Sequence, residues 1–332
     1  MRKHLGTIIK FGITALALFL VFQNVDLIDI WEKIKQADPF WVIFAFLLVN
    51  ASLVVRAYRW QILLIGLHAK VRFSRLVELY FAANFFNSVL PSGITGDVIR
   101  AVEVAQNVPG SVAGGTVIVD RATGLMALFL LALLSLPFRP ANFDTFWLVQ
   151  IVAICALGLI GGFVVLEGSL VRKFGRFVPN KLQSVWAKVD TVLIAVEAIG
   201  WRQIWQAMGI SIIFNLMQIA WWWSAGKALG FNVSLNYYFL IVPVMSLAIL
   251  LPSIGGLGIR EVFSTFLFTS AGLSPEEAIA LSLLVFAIER ISGLFGAPIY
   301  LFSVVKQNRE NQAMAQKTAV SPPNVPSKNH KN

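Results

Sequence analysis

Leu90-Pro91-Ser92-Gly93-Ile94-Thr95-Gly96-Asp97-Val98-Ile99-Arg100 interrupts an apolar stretch, and Leu251-Pro252-Ser253-Ile254-Gly255-Gly256-Leu257-Gly258-Ile259-Arg260 interrupts a later one. Each is followed by a second shared pattern. Val119-Asp120-Arg121-Ala122-Thr123-Gly124-Leu125 comes after the first, and Ile288-Glu289-Arg290-Ile291-Ser292-Gly293-Leu294 after the second. Two motifs in the same order, in similar hydropathy settings, read as an internal repeat. Unbroken apolar segments lie at 5–25, 40–60, 111–137, 145–166, 204–224 and 276–305, with the broken ones at 76–105 and 235–272. Each half therefore has two spans, a broken segment and a third span. Three crossings is an odd number, so the second half is expected upside down relative to the first. Inverted halves with Pro/Gly-interrupted segments at matching positions point to a transporter's midplane site. Irregular backbone at membrane depth needs hydrogen bonds from protein or a wet cavity. Ordinary surface turns between short helices are the alternative reading of the same clusters.

Composition agrees with the membrane. Of 332 residues, 57% are hydrophobic and only 13% charged, about half the charged share of a soluble domain. One span takes roughly 20 apolar residues, so the chain has room for many. The single cysteine, Cys155, excludes an intrachain disulfide and a cysteine-based zinc site; His4, His68 and His330 are far apart in sequence. No metal, cofactor or nucleotide is expected, and phosphate loops, dinucleotide fingerprints, HExxH and GxSxG are absent.

The net charge of +10 lies in blocks between apolar runs, which fits basic loops better than a nucleic-acid surface. Suppose six segments cross and the broken ones return to their own side. Then 19 Lys and Arg fall on the face holding the N-terminus, 56–75, 167–203 and the tail, and 4 (Lys33, Lys35, Arg139, Lys227) on the other. Both termini are expected in the cytoplasm. Residues 26–38 and 273–277 are expected outside. The N-terminal run lacks a small-x-small cleavage site and reads as an uncleaved span. Residues 170–202 read as amphipathic helix at the interface. The expected fold is an all-α polytopic protein of the cytoplasmic membrane, with about six full spans and two re-entrant helical hairpins in an inverted repeat. Residues 1–305 form one membrane domain, with halves at about 5–137 and 145–305, and 306–332 form a disordered polar tail.

Arg100, Arg121, Arg260 and Arg290 lie within membrane segments, with Asp97, Glu103, Asp120, Glu261 and Glu289 close by. A charge at a helix centre costs about 2.5–3.5 kcal/mol on insertion scales, so these groups must face one another or a wet cavity. Arg100 with Asp120 and Arg260 with Glu289 are the expected pairs. The cluster reads in two ways, as buried clamps for the hairpins or as a holder for an anionic group. In the second, Pro91, Gly96, Pro252, Gly256 and Gly258 form turns whose helix starts offer N–H groups to phosphate, and the arginines add bidentate forks. Arg56, Arg59 and Trp60 read as anchors at the face or as contacts for anionic headgroups. Trp221-Trp222-Trp223 reads as an interfacial belt. The small-residue spacings Gly110/Gly114 and Gly158/Gly162 are both candidates for close helix packing.

The Arg56-x-x-Arg59-Trp60 pattern, the Leu-Pro-Ser…Gly…Arg turns and the Asp/Glu-Arg-x-x-Gly spans resemble the lysylphosphatidylglycerol synthase transmembrane region, also called the flippase-like family. The resemblance covers about 5–305. In two-part members the membrane half flips an aminoacylated phospholipid made by a soluble synthase domain. Here a polar stretch follows the last span, so synthase activity is not implied. The resemblance carries over Arg100, Asp120 and Arg121, with Arg260, Glu289 and Arg290, as substrate-binding positions. The expected function is binding or moving an anionic lipid, a phospholipid or polyprenyl phosphate. Two alternatives stand beside it: a non-transporting subunit that scaffolds a separate lipid-modifying or glycosyl-transferring enzyme, and a headgroup transferase using carboxylates alone. Expected partners are membrane lipids with anionic headgroups.

Overall fold

The computed structural model describes residue 19 and residues 25–90, 95–139, 145–179, 182–248 and 257–320. The first expected span and both Pro/Gly turns, including Pro91, Pro252 and Gly256, lie outside the described residues. Twelve α-helices and no strand occur among the described residues. They are α1 (Leu27–Lys35), α2 (Pro39–Gly66), α3 (Phe73–Val89), α4 (Thr95–Val104), α5 (Gly110–Ser135), α6 (Thr145–Glu167), α7 (Ser169–Lys173), α8 (Gln183–Ala198), α9 (Trp201–Ala228), α10 (Leu235–Ala248), α11 (Ile259–Thr269) and α12 (Pro275–Val320). The chain is an all-α, multi-pass membrane protein.

Five helical stretches are long and apolar enough to span: Pro39–Gly66, Gly110–Phe138, Leu148–Glu167, Trp201–Ala228 and Pro275–Phe302. These match five of the six unbroken segments in the sequence. By contrast α3, α4, α10 and α11 hold 17, 10, 14 and 11 residues. At 1.5 Å per residue, each reaches about 15–26 Å, short of the roughly 30 Å hydrocarbon core. The short helices pack in pairs, α3 on α4 and α10 on α11.

Local signals place the helix starts. Asp38 caps α2 by accepting from the Phe40 N–H at 2.9 Å, with Pro39 in the first turn. Ser274 and Glu277 exchange hydrogen bonds as a capping box ahead of α12, at 3.0 and 3.2 Å. At α11 the cap is Gly258 with φ +82°. Its N–H donates to Glu261 Oε2 at 2.6 Å.

The large core draws Val49, Phe129, Cys155, Trp222, Tyr238, Phe268 and Val285 from seven helices. A second core, with Leu53, Trp60, Leu76, Tyr80 and Val117, joins α2, α3 and α5. Side chains such as Ile43, Leu47, Leu157, Ile160 and Phe295 point outward, as suits a lipid-facing surface. A Cβ at Gly158 or Gly162 would strike Phe129 or Met126 of α5. That pair of glycines sets the close α5–α6 approach.

Loop contacts sort the chain ends into two groups. Lys33 pairs with Glu277 at 3.3 Å, and the Asp38 N–H donates to the Ala228 carbonyl at 2.8 Å. At the other end Arg75 pairs with Glu103 at 2.8 Å, and Gly66 lies against Ile199 and Gln203. The basic-residue count divides 26–38 and 273–277 from 56–75 and 167–203 in the same way.

Two expectations change. Trp221 and Trp222 are buried in the core, so they are not belt residues; Trp222 instead stacks with Phe268 at 6.4 Å. Residues 306–320, expected to be disordered, continue α12 as helix. Glu310, Ala313, Met314, Ala315 and Gln316 are strong helix formers, and no Gly or Pro intervenes before Pro322.

Candidate functional site

Asp97 and Arg100 lie three residues apart on α4, so they share a face, and Arg100 Nε donates to Asp97 Oδ1 at 2.9 Å. On α5 the neighbours Asp120 and Arg121 point about 100° apart. Asp120 turns inward and is fully buried. Its Oδ1 accepts from Arg59 Nε at 2.6 Å, and its Oδ2 accepts from Tyr80 OH and Arg100 Nη2, both at 2.7 Å. Arg100 Nη1 also donates to Tyr80 OH at 2.5 Å. Arg121 turns to the rim, 45% exposed, and pairs with the second oxygen of Asp97. Arg59 Nη1 reaches α9 and donates to Ser211 Oγ at 2.9 Å.

The walls are aromatic. The Arg100 guanidinium lies over the rings of Trp60 and Tyr80 at 4.9 and 4.6 Å. Trp60 Nε1 donates to Thr116 Oγ1 at 3.0 Å, one turn before Asp120 on α5. Gly124, one turn after it, leaves room for Arg59, since a Cβ there would come 3.0 Å from Arg59 Nη1. Arg56 is half-buried. Its guanidinium sits over Tyr80 at 5.1 Å and over Phe214 of α9 at 5.2 Å.

The second cluster is smaller. Arg260 Nη1 pairs with Glu289 Oε2 at 2.9 Å, with the Glu289 side chain 29% exposed. Arg260 Nη2 donates to the Ser282 carbonyl at 2.8 Å and Nε to Ser282 Oγ at 3.3 Å. Ser282 Oγ donates in turn to Glu261 Oε1 at 3.0 Å. Trp222 lies under Arg260 at 5.1 Å. Arg290 lies over Phe286 at 4.5 Å, and its Nη1 donates to the Asn87 carbonyl at 3.0 Å. Asp120 is about 15 Å along α5 and Glu289 about 21 Å along α12, so Glu289 lies midway along the spanning stretch Pro275–Phe302 and Asp120 somewhat before the middle of α5.

Both expected pairs, Arg100 with Asp120 and Arg260 with Glu289, are thus formed. The two arginines that follow the carboxylates go elsewhere, Arg121 to Asp97 and Arg290 to α3. Gly96 lies in the first turn of α4, where a Cβ would strike the Ala83 carbonyl. Gly258 is the positive-φ cap of α11. Arg59 and Trp60 depart from the expected role of headgroup contacts at the face. Both are buried, and Arg59 is held by Asp120 and Ser211. Tyr80, Ser211, Ser282 and Asn87 were not legible as site residues, because they carry no charge and their roles depend on helix packing. The spacing of Asp97 and Arg100 was the one available signal for the inner pair.

The comparisons agree with this architecture. The family model described as "Lysylphosphatidylglycerol synthase TM region" matches residues 7–295. A UPF0104 membrane protein of Pyrococcus horikoshii is 23% identical over 86% of this chain and 92% of its own length. Two UPF0104 membrane proteins of Methanothermobacter thermautotrophicus are 22% and 24% identical, over 85% and 84% of this chain and 89% of each relative. A match of that extent, on a helical chain whose paired motifs form two arginine–carboxylate clusters, places this protein in the lysylphosphatidylglycerol synthase transmembrane-region family.

Proposed function

We propose that the protein binds the phosphate-bearing headgroup of an anionic membrane lipid, a phospholipid or polyprenyl phosphate, and moves it between leaflets. The observation that carries this reading is the charge balance of the first cluster. Among the described residues, four arginines (Arg56, Arg59, Arg100 and Arg121) gather around the two carboxylates of Asp97 and Asp120, so cations outnumber carboxylates there. Excess charge within spanning helices is costly, and a phosphate group is the partner that would offset it with bidentate geometry. In this reading α3–α4 and α10–α11 are re-entrant arms of an inverted repeat, and the second cluster is the counterpart on the opposite side. Both termini then face the cytoplasm of the cell membrane.

Reconstitution tests the function. Purified protein in liposomes is expected to accelerate exchange of labelled phosphatidylglycerol or polyprenyl phosphate between leaflets, compared with protein-free liposomes. Binding without movement would favour a scaffolding subunit, and neither binding nor movement would defeat the proposal. Orientation is tested separately, with cysteines at Gln36 and Lys70 in a Cys155→Ser background. They are expected to label from opposite sides, Lys70 from the cytoplasm. Labelling from one side would overturn the topology.

A further inference from the structure

Arg59, Arg100, Arg121, Arg260 and Arg290 each donate to an oxygen of the protein. Arg56 donates to none among the described residues. What holds it is aromatic: Tyr80 on one side at 5.1 Å and Phe214 on the other at 5.2 Å. Tyr80 is itself fixed by hydrogen bonds to Asp120 and Arg100, so the slot is rigid. The charges that face Arg56 are Arg59, Arg121 and Asp120. Asp120 already accepts from Arg59, Tyr80 and Arg100. Arg56 thus has a ring-fixed plane, donors unused by the protein and a local excess of positive charge.

Depth adds a second line. Arg56 is the eighteenth residue of α2, which begins at Pro39 and ends at Gly66. At 1.5 Å per residue it lies about 26 Å along a helix of about 42 Å, past the middle and towards the Gly66 end. That end is the one next to Lys70, Arg72 and Arg75. Arg56 is half-buried, whereas Arg100 and Asp120 are fully buried.

We infer that Arg56 is the docking residue for a phosphate group entering from the leaflet at that end, with Tyr80 and Phe214 holding its fork and the Arg59–Asp120–Arg100 lattice acting as scaffold. The inference rests on the proposed function and divides labour within it. The fully buried arginines already donate to protein oxygens, and the ring-held one is left for the ligand. A planar guanidinium offers paired donors to a phosphate, which an ammonium cannot.

Thermal unfolding in detergent, with and without ligand, tests this. Wild-type protein is expected to gain stability as short-chain phosphatidylglycerol is added, and not with diacylglycerol, which lacks phosphate. Arg56→Gln is expected to weaken that effect at least tenfold in midpoint concentration. Its ligand-free stability should change less than that of Arg59→Gln, because two ring contacts are lost but no hydrogen bond or ion pair of the protein is removed. Arg56→Lys, which keeps the charge and guards against a folding failure, is expected to weaken the effect several-fold. Arg59→Gln, by contrast, should lower the ligand-free stability. Inorganic phosphate forms the other arm. Stabilisation by it at equal concentration, lost in Arg56→Gln, would support the docking role while assigning the site to a free anion and defeating the lipid reading. If wild type responds to phosphatidylglycerol and Arg56→Gln responds identically, the docking role falls and the proposed function stands. If wild type responds to no phosphate-bearing ligand, both fall together. Equal stabilisation by diacylglycerol would show apolar binding and overturn the inference.

Discussion

Arg100 and Arg260 occupy the same place in the repeated motif, yet one is a hub and the other a clip. Arg100 is enclosed by two carboxylates and a tyrosine, and its partner Asp120 also holds Arg59. Arg260 meets one partly exposed carboxylate and both oxygens of Ser282. Glu261, the second carboxylate there, is turned back onto the Gly258 N–H that starts α11. The first half concentrates cations, with four arginines around two carboxylates. The second half is balanced, with Arg260 and Arg290 beside Glu261 and Glu289. An arginine–carboxylate pair occurs in both halves, while the surplus of arginines lies in the first; on the proposed function, that surplus is what an anion would offset.

The sharpest way to break this comparison is to neutralise the two carboxylates. Asp120→Asn leaves Arg59 and Arg100 buried with a weakened partner, and is expected to cost about 3–5 kcal/mol. Glu289→Gln should cost clearly less, because Glu289 is partly solvated and Arg260 keeps Ser282. Unfolding of the two variants under identical detergent conditions measures the gap. Equal losses, or a larger loss at Glu289, would make the clusters equivalent and remove the distinction.

A smaller effect is expected at the paired helix starts. Gly96→Ala forces a methyl against the Ala83 carbonyl and 2.7 Å from Asn87 Nδ2, an overpacking cost of about 1–3 kcal/mol. Gly258→Ala meets a different obstacle, a backbone at φ +82°, worth of order 1–3 kcal/mol. Adding Asn87→Ala should recover part of the Gly96→Ala loss and none of the Gly258→Ala loss. Stability of the two double variants decides the matter; recovery at Gly258 would show that the two starts share one cause.

The least change is expected far from both clusters. Lys33 pairs with Glu277 at 3.3 Å where both side chains are about a third exposed or less. Lys33→Ala should cost no more than about 1 kcal/mol, and the loss should shrink as salt is raised. A loss comparable to that of Asp120→Asn would mean that the ends, not the clusters, hold the bundle together.

The arginine–carboxylate pairs could be read in advance because buried charge is expensive and the repeat names matching partners. Arg59 misled for a physical reason: an Arg-x-x-Arg-Trp pattern near a span's end satisfies the rules for snorkelling anchors equally well. Only the packing of α2 against α3, α5 and α9 decides that Arg59 turns onto Asp120 while Arg56 lies between Tyr80 and Phe214. Tyr80 had no sequence signature, since a tyrosine among apolar residues on α3 looks like any core aromatic. The five described spans were legible because their apolar runs are long. The helical continuation past Lys306 was not, because polar composition by itself does not distinguish a solvated helix from a coil.

Asn87 joins the two halves of the chain at one residue. Its side-chain oxygen accepts from the Gly96 N–H at 2.9 Å, and its backbone carbonyl accepts from Arg290 at 3.0 Å. One residue of α3 therefore meets the start of α4 from the first half and the charged turn of α12 from the second. Two turns earlier Tyr80 ties the same helix to Asp120 and Arg100. α3 is thus a keystone: a shift of either half along it disturbs the contacts of the other.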